Sequence, residues 1–224
     1  MNIQQVEKIL NDEGKKVCYE KGKIKEEVFP YENYYELEEL VNCWQFNLVL
    51  IEKRNNAEYE CLANFSSENQ AARFFLLQQL SLIFSSKASS FIDENEQYLF
   101  KDDLIELANI KDTMIKNRVP LTYLSYRNKQ ENSILIKEQQ VGCWYTSYID
   151  ANGDINYTSK IPIEKEECLE SAFIDIYSLF LLDKLAQKNI KNGILDRKFN
   201  SNEIAYFLGY KTLEESIKED SNLK

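Results

Sequence analysis

The sequence predicts an α+β fold in which two pseudo-repeated antiparallel hairpin-plus-helix units are joined by a helical connector and followed by short C-terminal helices. Three observations lead there. First, the stretch from Tyr34 to Lys87 returns in degenerate form from Ile134. The chain has two tryptophans and each follows a cysteine, Cys43-Trp44 and Cys143-Trp144, at an offset of 100 positions that Val41/Val141 and Glu38/Glu138 share. Beyond the turn the offset is 97, matching Asn55 to Asn152, Ser81-Leu82 to Ser178-Leu179 and Lys87 to Lys184. Second, period-two apolar alternation follows each tryptophan, as a half-buried strand requires. Third, each alternating stretch leads into a broad apolar face at helical spacing, which must be buried against something, most simply the hairpin before it.

Ile3, Val6 and Leu10 are spaced for a short amphipathic helix over residues 2–13, stopped by Gly14. Val17, Tyr19, Ile24 and Val28 suggest a first hairpin turning at Lys21-Gly22. Trp44, Phe46, Leu48 and Leu50 then share a strand face, Asn55-Asn56 supplies a turn, and Tyr59, Cys61 and Ala63 continue the alternation. Ser66 or Ser67 offers an N-cap, with Glu68 in the first turn of a helix carrying Ala71, Phe74, Phe75, Leu77, Leu80, Leu82 and Phe84.

Asp103 with Glu106 reads as a capping box for a connector helix bearing Leu104, Leu107, Ala108 and Ile115 and stopped by Pro120. In the second copy, Asn152-Gly153 is the strongest hairpin signal of the chain. A helix over 164–189 follows, with Cys168, Ala172, Ile176, Leu179 and Leu182 as its seam, and Gly193 closes it. Asn200 with Glu203 opens a helix ending at Gly209, and Thr212 with Glu215 opens another. The expected organisation is 1–92 for the first helix and first sheet-helix unit, 93–130 for the connector, 131–190 for the second unit and 191–224 for the C-terminal helices, all in one compact domain.

Composition narrows the chemistry. At 224 residues and 44% hydrophobic, the chain can bury a sizeable core. No apolar run approaches the roughly 18 residues of a membrane span, and MNIQQVEKIL is not a secretion signal. The expectation is a soluble cytoplasmic protein without membrane association. The five cysteines include no C-x-x-C pair and read as small buried hydrophobes in a reducing compartment. A net charge of −10, from 27 basic and 37 acidic residues, argues against nucleic acid as a direct ligand and for a basic partner. There is no histidine, which removes Ser-His-Asp and Cys-His machinery, His-ligated zinc and the usual neutral-pH proton carrier.

Six scattered glycines build neither a P-loop nor a dinucleotide fingerprint. Asp150–Asp154 resembles a calcium loop only in its first residues, since Ile155 stands where the glycine belongs and Ile161 where the bidentate Glu belongs; it reads as a hairpin turn. No cofactor, metal or catalytic residue is expected. A carboxylate-pair enzyme has no spacing signal and ranks last.

Two acidic and aromatic clusters are the candidate partner-binding residues. One comprises Glu32, Tyr34, Tyr35, Glu36, Glu38 and Glu39, next to Tyr31; the other comprises Asp93, Glu94, Glu96, Asp102 and Asp103, with Tyr98 and Phe100. The alternative is that the tyrosines face the core and the acids face water. Trp44 and Trp144 read as core anchors under their helices, with an interface role as the alternative.

Trp44-x-Phe46, then Glu52-Lys53-Arg54, then F-x-S-E-x-x-A-x-R-F-F from Phe65 to Phe75 resemble the small acidic immunity proteins of bacterial polymorphic-toxin and contact-dependent inhibition systems. The second copy departs from this wording: Tyr145 and Thr146 follow Trp144, and its helix lacks the Arg-Phe-Phe group. The resemblance implies a non-enzymatic protein that binds and inhibits a cognate toxin domain. With the acidic surface, a nuclease with a basic groove is the expected target. A phage or mobile-element adaptor is the alternative.

Overall fold

The computed structural model describes residues 1–28, 32–51, 57–101, 104–126 and 128–222. In chain order the elements are α1 (Ile3–Asp12), β1 (Val17–Glu20), β2 (Lys23–Glu26), β3 (Tyr34–Glu39), β4 (Trp44–Ile51), β5 (Ala57–Phe65) and α2 (Glu68–Glu94). There follow α3 (Glu96–Leu99), β6 (Phe100–Lys101), β7 (Leu104–Ile105), α4 (Leu107–Lys116), a 3-10 turn (Leu121–Tyr123) and β8 (Leu124–Ser125). The last are β9 (Ser133–Gln140), β10 (Cys143–Ile149), β11 (Ile155–Thr158), α5 (Lys165–Lys191), α6 (Ser201–Phe207) and α7 (Leu213–Asn222). The class is α+β, as the sequence predicts.

Local signals account for most boundaries. Asn2 caps α1 by accepting from the Gln5 N–H at 2.9 Å, while Gln5 Oε1 accepts from the Asn2 N–H at 2.7 Å. The β1–β2 turn holds Lys21 at φ +53° and Gly22 at φ +79°, the two left-handed residues of a type I′ hairpin. Ser67 Oγ accepts from the Gln70 N–H at the start of α2. Asn200 and Glu203 form the expected capping box of α6, and α7 begins directly after Thr212.

Two compact units result: Met1–Leu80 with Asn189–Arg197 and Leu213–Lys224, and Ser81–Lys188 with Lys198–Thr212. This division differs from the expected one. It cuts α2 after Leu80, assigns the connector to the second unit, and splits the C-terminal helices, α6 to the second unit and α7 to the first.

The first unit is built on an antiparallel sheet in the order β1-β2-β3-β4-β5. Tyr19, Ile24, Leu37, Phe46 and Ala63 form one cross-strand row. Phe46 meets Phe75 of α2 edge-on at 5.7 Å, and Phe65 stacks on Phe74 at 5.7 Å, which is where the helix covers the sheet. The regular alternation expected of β5 fails at one point. Ala63 pairs with Phe46 but Cys61 pairs with Asn47, so Leu62 is an extra residue, a β-bulge. Tyr59 and Cys61 therefore lie opposite Val49 and Asn47, on the other face from Ala63. The Asn55-Asn56 turn lies outside the described residues.

The second unit holds a sheet in the order β11-β10-β9-β8, with β8 parallel to β9, and a two-stranded β6-β7 ribbon. Its core gathers Ile110, Met114, Ile134, Ile136 and Tyr148 around the α5 seam of Cys168, Ala172, Ile176 and Leu179. Asp150 organises the β10–β11 turn by accepting from the N–H groups of Asn152 (2.8 Å) and Asp154 (3.0 Å). The connector helix starts later than expected, at Leu107 with Glu106 in the cap position and no side-chain cap bond. Leu104 belongs to β7, and Asp103 lies outside the described residues.

The order strand, turn, tryptophan strand, strand, 27-residue helix occurs twice along the chain, ending in α2 and in α5, but neither helix falls within a single unit, so the element order repeats without two like units. The surroundings differ. Trp44 is buried, 8% exposed, whereas Trp144 is half-buried and exchanges 3.1 Å backbone bonds with Ile163. All five cysteines are free, and burial holds for Cys168 alone: Cys18, Cys43 and Cys143 are half-buried and Cys61 is exposed, because the bulge turns Cys61 out of the core. Among the described residues no helix is long and apolar enough to cross a membrane.

Candidate functional site

The register of the first sheet places the first acidic cluster on two faces. Tyr34, Glu36 and Glu38 share one face of β3, while Tyr35 and Glu39 share the other, as strand alternation demands. On the first face Cys18, Lys25, Glu36, Asn47 and Cys61 align across all five strands, and Glu20, Lys23, Glu38, Gln45 and Asn64 form the neighbouring row. Tyr34, Val49 and Tyr59 form a third.

Glu36 is 1% exposed, so its carboxylate is not presented to a partner. Its Oε1 accepts from Lys23 Nζ at 3.1 Å and from Asn47 Nδ2 at 3.5 Å. Lys23 also pairs with Glu38 at 3.4 Å and lies 5.9 Å from the Tyr59 ring centroid. Burial lowers the affinity of Lys23 for its proton, but the two glutamates outweigh it and its pKa is raised. Tyr34 is pushed up by burial and then by Glu36 and Tyr59. Tyr35 points to the core side, tilted against Phe46 at 5.7 Å, and is pushed up by burial and then by Glu26 and Glu60. Glu32 and Glu39 are exposed and Glu38 half-exposed.

Sequence reasoning missed the neighbours of this cluster. Ala57 to Cys61 of β5 are exposed on both faces, with Tyr59 58% exposed between Glu58 and Glu60. The available signal was polarity on both sides of a predicted strand, which marks an edge position. Glu58 and Glu60 on the edge strand β5, Glu39 and half-exposed Glu38 on the central strand β3, and Glu32 just before β3 are open to solvent.

The second cluster belongs to the second unit. Asp93, Glu94 and Glu96 are exposed where α2 gives way to α3. Asp102 and Asp103 lie outside the described residues. Tyr98 carries Lys116 Nζ 3.0 Å above its ring centroid, and Phe100 packs on the core. The resemblance motif itself is core material: Phe65, Ala71, Arg73, Phe74 and Phe75 are buried, and Arg73 pairs with Asp196 at 3.5 Å.

A second set of polar groups lies around α5. Burial pushes Asp175 up to about 7 although the Tyr210 hydroxyl donates to it at 2.7 Å, and burial, then Asp175, pushes the Cys168 thiol up to about 11. The buried Cys168 thiol is thus held neutral and makes a poor nucleophile. Among the described residues no group of three His, Cys, Asp or Glu side chains could hold a metal ion. Comparison with protein-family models, with curated proteins and with solved structures finds no match.

Proposed function

We propose that this protein is a cytoplasmic, non-enzymatic immunity protein that binds and inhibits a cognate bacterial toxin domain, a nuclease with a basic active-site groove. The observation that carries this reading is the set of solvent-facing acids and tyrosine on both faces of the first sheet and beside it: Glu32 and Glu39 with Glu58, Tyr59 and Glu60, and half-exposed Glu38. Glu36 drops out of the contact set because it is buried, its carboxylate held by Lys23 and Asn47. A negative surface accelerates encounter with a Lys- and Arg-lined groove over about a Debye length, roughly 8 Å at physiological salt. Tyrosine supplies contact area once the encounter has formed. The test is protection. Expressed with the toxin encoded beside it, the protein should restore growth, and the purified pair should associate more slowly as salt rises while dissociation changes less. No protection, or association indifferent to salt, overturns the reading.

A further inference from the structure

The second unit contains a cavity of about 260 Å³ whose construction follows from helix periodicity. Leu179, Leu182, Asp183 and Ala186 recur at i, i+3, i+4 and i+7, so α5 turns three apolar side chains and one carboxylate to the same side. Leu179, Leu182 and Ala186 are buried, and Phe199 adds to the same apolar lining. The carboxylate is held from three directions. Asp183 Oδ2 accepts from the Tyr123 hydroxyl at 2.9 Å and Gln187 Nε2 at 2.6 Å, and Oδ1 accepts from Lys198 Nζ at 2.9 Å. Burial first, then the bond to Asp183, keeps the Tyr123 hydroxyl protonated as a donor.

Two features identify the ligand chemistry. The polar lining carries two carboxylates, Asp183 and Glu131, against one ammonium, Lys198, so a further positive charge is favoured there and a negative one is not. The chain already seats an ammonium on Asp183, but loosely: the Lys198 side chain is 62% exposed, and such surface pairs contribute only about 0.2–1 kcal/mol. At roughly 30 Å³ per water-sized unit, the cavity accommodates on the order of eight heavy atoms. We propose that the cavity is an ammonium site, taking a primary ammonium on a short apolar stem, the stem on Leu179, Leu182 and Phe199 and the head at Asp183 and Glu131, with Lys198 as its built-in competitor. This assignment concerns the chain alone and is independent of the toxin reading.

The probe is n-pentylammonium, titrated into the full chain at pH 7 with chemical shifts as the readout, against pentanoate and pentanol. The ammonium should give saturable shifts at Tyr123 and Phe199 and bind more tightly than either control. Lys198→Met keeps the stem and removes the competitor, so ammonium binding should tighten about 2- to 5-fold; Glu131→Gln, at an exposed position, should weaken it. The source is distinguished by a capped lysine, N-acetyl-lysine-N-methylamide. Binding equal to n-pentylammonium points to a protein-borne lysine, and much weaker binding to a free amine; both uphold the site. Tighter binding of pentanoate, loss of ammonium binding in Lys198→Met, or no saturable shift overturns it.

Discussion

The two units face the same two problems, seating a tryptophan and enclosing a carboxylate, and solve them differently. In the first, Trp44 is buried and Glu36 is neutralised by a neighbouring cation, Lys23, with Asn47 as a further donor. In the second, Trp144 is half-exposed and Asp175 meets a neutral hydroxyl, Tyr210, so protonation does what Lys23 does elsewhere. The lesson is that an enclosed acid can be satisfied by a charge or by a proton, and only the second choice makes stability depend on pH near neutrality.

The largest expected effect separates the tryptophans. Trp44→Ala should cost about 3–5 kcal/mol, a large share of a typical ~5–15 kcal/mol stability, and Trp144→Ala about half as much. Equal losses in denaturant unfolding would erase the distinction. Next is Lys23→Met, which leaves Glu36 enclosed without its cation. Removing one member of a fully buried pair costs about 3–5 kcal/mol, and the partial exposure of Lys23 reduces this to about 2–3 kcal/mol. A melting temperature unchanged by this substitution would show that Glu36 is not held as a charge.

Asp175 gives the third effect. Burial favours the neutral acid, so its folded-state pKa, about 7, lies above the ordinary value of 3.8. Between these limits the folded chain keeps a proton that the unfolded chain has released. Stability should therefore fall as pH rises from 3.8 to about 7, by at most about 1.4 kcal/mol per unit, and level off above. Asp175→Asn should remove that slope and raise stability at pH 7, since the amide oxygen can still accept from Tyr210. Urea unfolding at several pH values checks it; an unaltered slope would place the titration elsewhere. The smallest effect on stability belongs to Glu58→Gln with Glu60→Gln, within about 0.5 kcal/mol as for exposed positions, while association with the proposed basic partner should slow. Loss of stability without a change in rate would make β5 structural.

Where the fold obeys neighbours in sequence, it was legible. Lys21-Gly22, Asn152-Gly153 and Asn200 with Glu203 each fix a cap or a turn within a few residues, and each appears where expected. What depends on pairing across the chain was not legible. The extra residue at Leu62 becomes visible only when β4 sets the register, the parallel β8 only beside β9, and the sharing of the continuous helix α2 between two units only from packing. The candidate site follows the same rule. Its acids were found by composition, but the burial of Glu36 is decided by Lys23 and Asn47 on two other strands. Tyr123, Asp183 and Lys198 meet from distant positions with no shared motif.

The bulge at Leu62 divides β5 into two stretches under different physical constraints. On one side Ala63 and Phe65 pair with Phe46 and Trp44 and are answerable to the core. On the other, Ala57 to Cys61 are open to solvent on both faces, so new residues there alter what the protein meets without altering how it folds. Five consecutive positions are thus open to substitution while the packing of Phe46 and Trp44 beneath the other stretch stays as it is.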